Sequence, residues 1–72
     1  MIKVTYVYSF INLSGKPKRF IEASNDCKLI SYGVTTDTVT LSVLFENTKV
    51  FNTLNKAIYD KFKLVPQSIN FI

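Results

Sequence analysis

Apolar and polar residues alternate over the first ten positions. Ile2, Val4, Tyr6, Tyr8 and Phe10 fall on one face, and Lys3, Thr5, Val7 and Ser9 on the other. Period-2 alternation rich in β-branched and aromatic residues predicts a strand. After Phe10 the apolar parity passes to Ile11 and Leu13, which predicts a bulge or twist near the strand's end. Asn12-Leu13-Ser14-Gly15-Lys16-Pro17 then carries turn chemistry: Gly15 tolerates positive φ, and Pro17 removes a donor and restricts Lys16. A second strand is expected from about Lys18 to Ala23, followed by a turn at Ser24-Asn25-Asp26. A third strand is expected from Lys28 to Val34, through Leu29, Ile30 and Tyr32. Thr38 to Phe45 alternates again, with Val39, Leu41, Val43 and Phe45 on one face and Thr38, Thr40 and Ser42 on the other. Leu44 interrupts the polar face, which points to burial on both sides at that end.

The period changes from 2 to 3.6 after Glu46. Phe51, Leu54, Ile58 and Phe62 form one apolar stripe, flanked by Val50, Ala57 and Val65, on a helix of about four turns. Asn47 or Thr48 is placed to cap its start. Lys61 and Lys63 fall in the last turn, where the helix dipole favours cations, and Lys56 and Asp60 are spaced to pair at i,i+4. Pro66 ends the helix, and Gln67 to Ile72 forms a last strand with Ile69 and Phe71 inward. A competing reading has a turn at Glu46-Asn47-Thr48, a short strand at Lys49–Phe51 and a helix starting at Asn52. The preferred order, β-β-β-β-α-β, predicts an α+β fold in a single domain over residues 1–72. It has a small antiparallel sheet of four to five strands with one C-terminal helix packed on one face. The other face is left open, as antiparallel sheets allow.

Composition supports a folded chain that must rely on apolar mass. At 72 residues it is near the size where disulfides, metals or association usually assist. One cysteine, Cys27, closes no internal bridge, and the absence of histidine leaves no tetrahedral zinc set. Instead, 47% of residues are hydrophobic, including six Phe and four Tyr. Ile, Lys, Asn, Phe and Tyr supply 31 of the 72 residues; their AT-rich codons point to a low-GC genome, bacterial or phage. A lone cysteine fits a reducing compartment. With no secretory signal pattern and no apolar run near the ~20 residues of a membrane span, a cytoplasmic protein is expected.

The net charge of +4 favours solubility and weak attraction to anions. It falls short of the dense basic footprint of a dedicated nucleic-acid binder. Acid–base catalysis needs a group poised near neutral pH, yet Glu22, Asp26, Asp37, Glu46 and Asp60 fall in turns or on the polar helix face and are not paired by spacing. Cys27 lacks a histidine to activate it and reads as a small buried hydrophobe. Ser14-Gly15-Lys16 lacks the second glycine and spacing of a phosphate loop. No enzymatic activity and no cofactor are expected.

Two functions remain. The first is a small protein-binding module, an accessory factor or inhibitor of a host protein if phage-encoded, with Tyr6, Tyr8, Tyr32 and Tyr59 as its anchors wherever they are exposed. The residues Ile2 to Phe10 read more simply as a core face, which would withhold Tyr6 and Tyr8. The alternative is weak nucleic-acid binding by a basic hairpin loop containing Lys16, Lys18 and Arg19, assisted by Lys28 or Lys3. A homodimer formed by pairing of sheet edges is compatible with both.

Overall fold

The computed structural model describes residues 1–72. Strand β1 (Ile2–Ser9) leads into a single helical turn, α1 (Phe10–Leu13), and a short helix, α2 (Lys16–Glu22). A hairpin of β2 (Cys27–Thr35) and β3 (Thr38–Phe45) follows, then helix α3 (Thr48–Phe62) and strand β4 (Ser68–Phe71). The four strands form one sheet in the order β2-β3-β1-β4, and every neighbouring pair is antiparallel. The connection from β1 to β2 passes over β3, and that from β3 to β4 passes over β1. Two split βαβ units are thereby interleaved in the ferredoxin-like order.

The expected α+β fold, an antiparallel sheet of four to five strands with the C-terminal helix on it, is observed with four strands. One element differs. The strand expected at Lys18–Ala23, and the hairpin turn before it, are instead helix α2 and its approach. Phe20 and Ile21 are adjacent apolar residues, which a half-buried strand would send to opposite faces. Pro17, Phe20 and Ile21 instead follow helical spacing, and both Pro17 and Ile21 are buried. Pro17 sits in the first turn, where its missing N–H costs nothing. The Lys18 ammonium meets the Glu22 carboxylate at 3.3 Å, one turn on. The parity change after Phe10 marks α1 and not a bulge, and positive φ falls on Ser14 (53°) while Gly15 stays at −94°.

The other strand expectations hold, with one irregularity. A bulge between Leu29 and Ser31 shifts the β2 register against β3, which explains why Leu29, Ile30 and Tyr32 do not alternate. Helix α3 starts at Thr48, and the Asn47 side chain accepts from the Val50 N–H at 2.9 Å. That cap rules out the reading in which the helix begins at Asn52. Lys63 leaves the helix in the left-handed region with φ 60°, so the helix ends before Pro66. The expected Lys56–Asp60 pair does not form; Lys18–Glu22 is the one ion pair.

The core lies between one sheet face and the two helices. Ile2, Val4, Tyr6 and Tyr8 of β1 pair with Phe45, Val43, Leu41 and Val39 of β3, and all eight are buried. Ile21 from α2, Phe51 and Ile58 from α3, and Leu64 close over them. Burying each such aliphatic or Phe side chain contributes roughly 1.5–3 kcal/mol. Phe51 meets Phe45 edge to face at 5.3 Å, and Phe20 of α2 meets Phe62 of α3 at 5.8 Å. The cover is therefore two helices packed side by side, where the sequence predicted one.

Candidate functional site

The four tyrosines have unlike fates. Tyr6 is wholly buried, and its hydroxyl donates to Asn55 Oδ1 at 2.8 Å. Tyr8 is buried, and its hydroxyl donates to the Ser14 carbonyl at 2.7 Å. Burial pushes the Tyr8 phenol up to about 12, with Tyr32 adding to the rise, and raises that of Tyr6 further. These two residues are internal struts: the alternation that placed them on a core face withholds them from any partner. Tyr32 is half-buried under the Lys18 ammonium, 5.2 Å from its ring centre. Tyr59 alone is exposed, on α3, with the Lys63 ammonium 5.2 Å from its ring centre.

The basic residues do not form a hairpin loop. Lys16, Lys18 and Arg19 belong to α2, and Lys18 is engaged by Glu22 and Tyr32. Lys28 lies on the opposite side of the sheet from these three. It pairs with Leu44, while its neighbours Cys27 and Leu29 pair with the core residues Phe45 and Val43. The five carboxylates are all exposed; Asp26 and Glu46 line one open pocket beside Cys27, but no three His, Cys, Asp or Glu side chains are placed to hold a metal ion. Cys27 packs half-buried against the core, 3.8 Å from the Ile21 carbonyl. Burial pushes its thiol up, away from the thiolate that a nucleophile needs.

The sheet face away from the helices is uncovered, and its make-up follows from register. One row across it reads Lys28, Leu44, Lys3 and Asn70; the next reads Ser31, Ser42, Thr5 and Ser68. Beyond these come Gly33, Thr40 and Val7, then Thr35, Thr38 and Ser9. The face thus carries hydroxyls, two lysines and no carboxylate. Leu44 is not buried on both sides as expected. It is half-buried between two lysines, whose aliphatic stems suit an apolar neighbour.

The two sheet edges differ more sharply. The β2 edge has the bulge at Leu29/Ser31, a lysine at position 28 and α2 packed on its inner face. Each is a recognised protection against edge pairing. The β4 edge has none of these three; its protection is its length of only four residues. Its residues Ile69 and Phe71 share the helix-side face with Val4 and Ile2, as an inward orientation requires. Yet they are 42% and 75% exposed. Met1 and Ile72 exchange backbone hydrogen bonds at 2.8 and 3.3 Å. In an antiparallel ladder the hydrogen-bonded pairs alternate, so Asn70 turns its backbone groups toward β1. Ile69 and Phe71 turn theirs outward. Sequence reasoning missed these two residues as a site because alternation reports a face and cannot report whether anything covers it.

No family model matches this chain, and neither does any curated protein or solved structure. No helix is long and apolar enough to cross a membrane.

Proposed function

We propose that the chain is a non-enzymatic protein-binding module that accepts a partner's strand on the free edge of β4. The observation that carries this reading is the pairing of unsatisfied backbone groups with uncovered apolar side chains at Ile69 and Phe71. Strand addition uses both: main-chain hydrogen bonds supply affinity, and alternate side chains supply specificity. Exposed aromatic and aliphatic residues at an edge without bulge, charge or helix cover are the composition expected of an interface. Tyr59 is the remaining exposed tyrosine from the anchor set. Hydrogen exchange tests the reading. The Ile69 and Phe71 amides should exchange freely in the monomer and become protected in its complex. A bound protein that protects only other amides would sink the idea.

A second reading, weak nucleic-acid binding, moves from the α2 cluster to the open sheet face. Lys3 and Lys28 flank Leu44 there, amid hydroxyls that can donate to phosphates and with no carboxylate to repel them. The face presents no aromatic ring for base stacking, so contacts would be to the backbone. Substituting both lysines by alanine should flatten the salt dependence of binding by about two units of slope. An unchanged slope would remove this reading.

A further inference from the structure

We infer that the strand taken up by β4 is β4 of a second copy of this chain, paired antiparallel about a two-fold axis at Asn70; this rests on the strand-addition reading above. In an antiparallel pair, directly opposed residues lie on the same face and their positions sum to a constant. A two-fold axis through Asn70 therefore places Ile69 opposite the second copy's Phe71, and Phe71 opposite its Ile69. The two residues that turn their backbone groups outward are the same two that become hydrogen-bonded pairs in this register. Both N–H and both C=O groups of each copy are satisfied at once. The alternative centred on Ile69 opposes Phe71 to Gln67, a residue outside the strand, and leaves half of that complementarity unused.

The side chains agree with the backbone. On the helix side, each Phe71 covers an Ile69, joining two exposed apolar pairs into one cluster. On the open side, the Asn70 amides meet at the axis. The strand Ser68–Phe71 has no charged side chain, so self-pairing brings no like charges into contact. Lys3, in the row of Asn70, would stand three strand spacings from its counterpart. That is roughly 14 Å, beyond the ~8 Å screening length at physiological salt. On the helix side of this edge the exposed apolar surface is that of Ile69 and Phe71. A contact of this size lies below a standard specific interface, so the dimer is expected to be weak and reversible.

Sedimentation analysis and crosslinking test the pairing. The 72-residue chain should be a reversible dimer at micromolar to hundred-micromolar concentration. Phe71→Lys should weaken association at least tenfold while far-UV circular dichroism is unchanged. In a Cys27→Ala background, Asn70→Cys should form a disulfide-linked dimer under mild oxidation. The two Cα atoms would be about 4.5 Å apart in a non-hydrogen-bonded pair, within disulfide range. Ser68→Cys in the same background should not crosslink, because the two copies of that residue are well separated in this register. A chain that stays monomeric, or crosslinks no better through Asn70→Cys than through Ser68→Cys, overturns the second copy. If that monomer's Ile69 and Phe71 amides are protected by another protein, strand addition stands without self-pairing. A dimer unaffected by Phe71→Lys is built on another surface and overturns self-pairing at β4.

Discussion

The two ends of this sheet are built on opposite terms. Strand β2 is long, kinked by a bulge, marked by Lys28 and backed by α2, whose Ile21 is buried against it. Strand β4 has four residues, no bulge against β1 and no charge, and its inner-face side chains stand uncovered. One edge is guarded by a bulge, a lysine and a helix, the other by brevity alone. The contrast teaches that the two edges of one sheet can be protected by different means.

The largest expected effect comes from stripping the guarded side. Ile21→Ala should cost about 2–5 kcal/mol, the range for truncating a fully buried aliphatic residue, seen as a lower urea midpoint. A loss under about 1 kcal/mol would show that α2 is an ornament on β2 and not its cover.

Tyr8 ties β1 to the corner preceding α2. Tyr8→Phe removes a hydrogen bond to the Ser14 carbonyl and should cost about 1 kcal/mol at neutral pH. The same phenol gives a pH signature. Its folded pKa of about 12 lies above the ordinary value of 10, so folding favours the neutral form. Its contribution is complete below pH 10 and is lost as pH rises from 10 to 12. Stability should fall through that window, and less steeply in Tyr8→Phe. Equal slopes would mean that Tyr8 ionises as freely folded as unfolded.

A comparable change of opposite sign is expected in the hairpin that joins β2 to β3. Thr36 adopts φ 57°, a region where a β-branched residue is strained. Thr36→Gly should stabilise by about 1 kcal/mol, raising the thermal midpoint. The smallest folding effect belongs to the bare edge. Phe71→Ala, at a mostly exposed position, should change monomer stability by no more than about 0.5 kcal/mol in dilute solution. A cost like that of Ile21→Ala would show that β4 is held as tightly as β2 and erase the contrast.

Much of the fold was legible because three segments carry strong, single periods. Ile2–Ser9 and Thr38–Phe45 keep an apolar residue at every second position, and Phe51, Leu54, Ile58 and Phe62 repeat at helical spacing. Lys16–Glu22 was misread because seven residues with Pro17 at the front contain too few turns for a helical period to stand out. The pair Phe20-Ile21 was the available signal. The site was barely legible. Tyr6 and Tyr8 could be assigned to a core face, but the exposure of Ile69 and Phe71 could not be foreseen from an alternation that reads as inward. The α2 bases and Lys28 are separated by the sheet itself, which charge counting cannot register.

Local chemistry in this chain determines where strands and helices form and which side of each is apolar. Those properties depend on neighbours within a few residues, through backbone sterics and side-chain period. Tertiary structure alone decided that β1 and β3 would be central and β2 and β4 the edges, since the strand order arises from two crossovers spanning the sheet. It also decided that Ile69 and Phe71 on β4, like Val34 on β2, would stay exposed on the helix side while the inner residues of β1 and β3 are buried. Burial there depends on contacts between elements distant in sequence, which the alternation along one strand does not record.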